Sequence, residues 1–173
     1  MADIPCDAAD ATVVAQDGAA FNAPQGIFIG GGFIYWAELD DNVVMRCALA
    51  DIPCDAADAT VVAEDATIDG PVGVLIDGGF AYWTESGDDA IMRCALADIP
   101  CDAADFEVVA QDGSQFNDPR GLLLLDGFIY WGERLGDAIR RCALADIPCD
   151  VADASYVAKD GSEFSGVTFL LFD

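Results

Sequence analysis

Seven cysteines and no histidine set the chemical limits of this 173-residue chain. Without an imidazole, neither a Ser-His nor a Cys-His nucleophile can be assembled. Six of the cysteines stand in pairs seven residues apart: Cys47 with Cys54, Cys94 with Cys101, and Cys142 with Cys149. That spacing is not the usual one for zinc thiolates, and no histidine exists to complete such a site. The pairs are expected to form local disulfides, and closing each short loop contributes roughly 2.5 kcal/mol in the chain-entropy model. Disulfides imply an oxidising compartment, hence an extracellular or cell-surface location. Cys6 is left unpaired, because its partner would stand seven residues upstream, before Met1.

The second set of reactive groups is acidic. Glu38, Glu85 and Glu133 recur at equivalent places, with Asp40, Asp41, Asp88, Asp89 and Asp137 close behind them. Oxygen-only clusters suit calcium. No loop carries a spaced Asp-x-Asp-x-Asp-Gly motif, so no cofactor is assigned, and calcium is the one ion such a rim would fit. Arg120 and Arg134 break the acidic pattern locally, and a salt bridge accounts for them simply. Over the whole chain, 32 acidic residues face 7 basic ones, a net charge of -25. Nucleic acids and anionic membranes carry the same sign and are excluded as partners. Basic protein patches and cations remain compatible.

The elements that position these residues repeat. The segment ADIPCDAAD begins at Ala2, Ala50 and Ala97, and ADIPCDVAD begins at Ala145, at spacings of 48, 47 and 48 residues. Such a period marks a repeat architecture whose units bury their apolar faces against one another. Four strands are expected in each period. Pro24-x-Gly26, Pro71-x-Gly73 and Pro119-x-Gly121 introduce short apolar runs at 26–29, 73–76 and 121–125. Their continuous apolar character predicts strands covered on both faces. Aromatic strands follow at 33–36, 80–83 and 128–131, third strands at 43–47, 90–94 and 138–142, and fourth strands at 60–63, 106–110 and 155–158. Four short strands per period predict an all-β fold of β-propeller blades. The paired cysteines bracket the connection from the third strand to the fourth.

The motifs Tyr35-Trp36-Ala37-Glu38, Tyr82-Trp83-Thr84-Glu85 and Tyr130-Trp131-Gly132-Glu133 resemble the YWTD motif of low-density-lipoprotein-receptor-type propellers. With the Pro-x-Gly before them and the Met-Arg-Cys segment after them, they are similar to YWTD-like repeats of bacterial surface proteins. Each tryptophan stands 11 residues before an Arg-Cys cysteine. The family's Asp is Glu here, and a chain of this length cannot close the usual six blades. The resemblance implies that the Tyr-Trp pairs are inter-blade core and not a ligand cage. An aromatic of this kind buries about 150–250 Å2.

Because antiparallel strands alternate in direction, the loops sort onto two faces. One face carries the nearly invariant cysteine loops. The other carries the variable connections, at 16–25, 64–72 and 111–120 and at 39–42, 86–89 and 134–137. A constant scaffold with one varied face is the pattern of a binding module. The candidate binding face is the acidic rim with Arg120 and Arg134. Hydrolytic propellers draw Glu, Asn and Asp toward the channel; here the first strands are almost wholly apolar, and Asn occurs only at 22, 42 and 117. The expected function is non-catalytic: an extracellular or cell-surface module that binds a protein or polysaccharide. The alternatives are a calcium-dependent hydrolase-like fragment or a structural spacer.

The expected organisation is an open arc within one repeat domain: an outer strand and linker at 1–26, blades at 27–64, 73–110 and 121–158, and the start of a fourth blade at 165–173. Met1 holds the place of Leu49, Leu96 and Leu144, so the chain is expected to begin inside a repeat, as a fragment would. Uncapped blade ends favour self-association.

Overall fold

The computed structural model describes residues 13–15 and 21–159. Cys6, Thr12 and the run at 165–173 lie outside them. Among the described residues, twelve strands form three antiparallel sheets of four, each in sequential order. The first sheet contains β1 (Pro24–Gly30), β2 (Phe33–Glu38), β3 (Val43–Ala48) and β4 (Thr60–Glu64). The second contains β5 (Pro71–Asp77), β6 (Phe80–Glu85), β7 (Ala90–Ala95) and β8 (Glu107–Gln111). The third contains β9 (Pro119–Leu125), β10 (Phe128–Glu133), β11 (Ala138–Ala143) and β12 (Ser155–Lys159). Among the described residues, helix is confined to single 3-10 turns, such as Leu49–Asp51 and Leu144–Asp146. The result is a partial β-propeller, three blades that do not close on themselves.

The inner strands β1, β5 and β9 lie side by side, and the Pro-x-Gly motif makes this approach work. A Cβ on Gly73 would stand 2.4 Å from the Arg120 carbonyl oxygen, and one on Gly26 would stand 2.2 Å from that of Val72. The absent side chain at these positions is therefore what lets one inner backbone pass against the next. Strand β5, in the middle of the arc, is buried from Pro71 to Val74, in line with its apolar sequence. Strand β1 departs from that expectation. Ile27 and Ile29 are 70% and 61% exposed, because no sheet covers that side of β1 among the described residues.

Two apolar cores lie between the sheets. The first joins Tyr35, Val44 and Val62 of the first sheet to Val74, Ala81 and Trp83 of the second. The second joins Tyr82, Ile91 and Val109 to Leu122, Ile129 and Trp131 of the third. Each blade thus offers a tyrosine side to the next blade and a tryptophan side to the preceding one. Strand alternation requires this, since adjacent side chains point to opposite faces.

The cysteine loops add a second link between blades. The three pairs are bonded as Cys47–Cys54, Cys94–Cys101 and Cys142–Cys149. Each loop also forms a parallel bridge to a segment earlier in the chain: Cys101 with Ala63 of β4, Cys149 with Ala110 of β8, and Cys54 with Ala15, which precedes the first sheet. The Cys101 N–H donates to the Val62 carbonyl at 3.0 Å, and the Cys149 N–H to the Val109 carbonyl at 2.9 Å. The repeated ADIPCD segment is therefore both an intra-blade staple and an inter-blade strap. The sequence pattern disclosed the staple but not the strap.

Candidate functional site

The three glutamates that end β2, β6 and β10 do not form an open rim. Glu38, Glu85 and Glu133 are 1%, 3% and 1% exposed. The cause is local. A glutamate two residues after a tryptophan lies on the same side of its strand, and it follows the indole into the inter-blade layer. Trp36 donates Nε1–H to Glu38 Oε1 at 2.6 Å, and Trp83 donates to Glu85 Oε1 at 2.8 Å. The other partner comes from the variable loop. The Asn22 N–H donates to Glu38 Oε2 at 2.5 Å, and Glu85 takes a hydrogen bond from the backbone of Asp69. Each buried glutamate is thus a peg that ties the loop to the blade. In the first two blades Glu satisfies both an indole and a backbone donor, at the place where the YWTD motif carries Asp.

Burial raises the Glu85 carboxyl to about 7, against the smaller opposing pull of the Trp83 indole. Burial also raises Glu133 above its ordinary value, although Arg140, Trp131 and the Asn117 backbone all favour its charged form. Arg140 is the third blade's own feature. It stands across from Trp131 where Met45 and Met92 stand across from Trp36 and Trp83. Its Nε lies 2.8 Å from Glu133 Oε1, with both side chains buried. Its guanidinium also covers the rings of Phe116 and Tyr156, at 5.2 and 4.1 Å.

The tryptophans occupy the inter-blade layers. Trp83 and Trp131 are fully buried and meet Phe106 and Phe116 edge-on, at 5.1 and 5.3 Å. Trp36 meets Phe21 at 5.4 Å on the uncovered side of the first sheet. Tyr35 and Tyr82 are buried, while Tyr130, with no described sheet beyond it, is only partly so. Arg46, Arg93 and Arg141 stand across from these tyrosines and lie over Phe33, Phe80 and Phe128.

The remaining acidic residues divide. Asp40, Asp41 and Asp88 are exposed. Asp89 is half-buried and accepts the Asp118 N–H of the next blade at 2.7 Å. Asn42 does the same for the Gly70 N–H at 2.9 Å. Both turn residues have positive φ, as does Asp137, a conformation in which Asn and Asp are enriched. Their recurrence just before each third strand was the signal for this inter-blade link. Asp118 is itself buried and paired with Arg120, at 2.6 Å, and with Arg134. The two arginines therefore meet on one carboxylate that sequence reasoning did not single out. Nothing equivalent exists in the other blades, where Ala23, Gln25 and Leu39, or Gly70, Val72 and Ser86, fill these places.

Among the described residues, no three His, Cys, Asp or Glu side chains are grouped to hold a metal ion. The burial of the three glutamates removes them from the set that would serve calcium at an open rim. What the loop face presents is exposed aspartates and one Arg-Asp-Arg cluster, on loops tied to the blades by buried carboxylates and inter-blade hydrogen bonds. No helix among the described residues is long and apolar enough to cross a membrane.

No family model matches this chain, and no curated protein matches it in sequence. Solved structures match its fold. A chain of the nidogen/laminin complex superposes with a TM-score of 0.62 at 19% identity, covering 81% of this chain and 49% of its own. A streptogramin B lyase superposes at 0.64 with 13% identity, covering 92% of this chain and 47% of its own. The computationally designed Ika4 protein superposes at 0.57 with 8% identity, covering 92% and 86%. This chain thus spans about half the length of the first two natural structures. Likeness at this identity shows the fold alone, and the fold is that of β-propeller blades.

Proposed function

We propose that this chain is a non-catalytic extracellular interaction module of the YWTD-like type, and that its variable loop face contacts a protein or polysaccharide. The observation that carries the reading is the loop architecture. Variable residues sit on loops held by invariant pegs, Glu38 on Asn22 and Glu85 on Asp69. Such a scaffold lets loop side chains change without disturbing the blade. The propeller from the nidogen/laminin complex is a precedent for protein binding by this fold. The charge of -25 favours a partner with a basic patch. Three disulfides support an oxidising, extracellular setting.

The test exchanges loops. Residues 134–137 are replaced by 86–89, and 111–120 by 64–72, and binding to immobilised extracellular-matrix proteins and glycans is measured. Loss of wild-type binding with an unchanged melting temperature supports the reading. Binding that survives the exchange overturns it. A parallel calcium titration addresses metal-dependent hydrolysis: a rise in melting temperature at millimolar calcium would argue against a metal-free binder.

A further inference from the structure

The two end faces of the arc are the separate halves of an interface that the chain makes twice internally. At the first internal interface, Val62 is 0% and Val74 is 7% exposed; at the second, Val109 is 0% and Leu122 is 8% exposed. The equivalent end positions are open: Val157 is 51% and Ile27 is 70% exposed. A cleft of about 640 Å3 lies on the Ile27 side, lined by Val14, Phe21, Ile27, Ile34 and Trp36 among others. The first sheet thus presents a tryptophan side without a tyrosine side, and the third sheet presents the reverse.

We infer that a second copy of this chain fills the cleft, its third sheet seated head to tail on the first sheet. The choice of occupant rests on continuity with the internal interfaces, which show which surface each face fits. The backbone bonds agree as well. Cys101 and Cys149 donate their N–H groups to Val62 and Val109, the residues equivalent to Val157. At the open face, Cys54 donates to the Val14 carbonyl at 2.9 Å. An incoming β12 offers the Val157 carbonyl in its place, so residues 13–15 are exchanged bond for bond. The contact joins two different faces and is heterologous, the kind that forms rings where the rotation closes. Two arcs of three sheets total six, within the range of about 4–8 blades in closed propellers. The end faces are separate from the loop face, so this contact does not depend on the function proposed above.

Sedimentation velocity on the full chain over a hundredfold concentration range tests the proposal. The wild type is expected to associate as concentration rises. Ile27→Asp and Val157→Asp are each expected to stay monomeric to at least tenfold higher concentration. Both positions are exposed, so the monomer should keep its wild-type near-ultraviolet circular dichroism; Ile29→Asp, at a residue 61% exposed, is the second variant on the first face. An equimolar mixture of the two variants should regain a one-to-one pair, because each retains the face that the other has lost. A wild type that is monomeric throughout overturns the proposal. So does a mixture that fails to pair, or association that only one of the two substitutions weakens, which would mean that a face pairs with itself.

Discussion

Trp83 donates its indole N–H to Glu85 at 2.8 Å, both side chains lying in the inter-blade layer. This pair makes a buried carboxylate part of the blade, and it couples stability to pH. The Glu85 carboxyl is raised from 4.5 to about 7 by burial.

In the folded protein Glu85 keeps its proton at pH values where the unfolded chain has lost it. Between about 4.5 and 7 the folded state binds more protons, so this group's contribution to stability falls as pH rises. It is greatest below the unfolded value and lost by the folded one. The size is on the order of 3 kcal/mol at most, at about 1.4 kcal/mol per unit. Glu85→Gln keeps a carbonyl acceptor for the indole and cannot ionise. Urea denaturation between pH 4.5 and 8 should therefore show a shallower slope for the variant than for the wild type. Parallel slopes would mean that Glu85 titrates normally.

Arg140→Met gives the third blade the residue that the other two carry at this place, but leaves Glu133 without its cation. Removing one partner of a buried pair costs about 3–5 kcal/mol when the remaining charge cannot be neutralised. Glu133 can be, by taking a proton, and its carboxyl is already raised by burial. Loss of Arg140 raises it further. The variant should accordingly be destabilised more at pH 8 than at pH 5. An equal loss at both pH values would show that Arg140 acts through its packing on Phe116 and Tyr156.

Much of the fold was legible because each level of the sequence repeats. Alternating aromatics at Phe33, Tyr35 and Phe80, Tyr82 mark the second strands, and the cysteine spacing marks the loops beside the third. The site was less legible, because a charged side chain reads as exposed unless its partner is known. Glu38 and Glu85 find theirs two residues back, in an indole that faces the same way. Asp118 finds its partners in Arg120 and Arg134, the latter 16 residues ahead. The strap between Ala63 and Cys101 joins residues of different repeats, so no feature within one period announces it.

That strap gives the disulfides a measurable second role. Replacing Cys94 and Cys101 together by serine removes a loop closure that contributes about 2–3 kcal/mol, and frees the loop that holds the Val62 carbonyl and the Glu64 N–H. Amide exchange should then quicken at Cys101 and Glu64, at the first inter-blade seam, more than at Cys149 and Gln111 at the second. Uniform acceleration at both seams would reduce the disulfide to a global effect.

Asp89 separates two contributions at the turn between β6 and β7. Its φ of 53° lies in the left-handed region, and its Oδ1 accepts the Asp118 N–H. Asn42 meets both demands in the first blade, with φ 56° and a bond to the Gly70 N–H. Asp89→Asn should therefore change stability by less than about 0.5 kcal/mol, a surface-level effect. Asp89→Gly keeps the turn and loses the bond, which costs about 1 kcal/mol for an acceptor removed from a partly buried donor. Asp89→Ala loses the bond and also forces a β-carbon into the left-handed region, adding about 1 kcal/mol more. The order Asn, Gly, Ala in denaturation midpoints measures the inter-blade bond and the turn separately. If Gly and Ala coincide, the left-handed φ carries no cost of its own and the loss in both variants is that of the hydrogen bond.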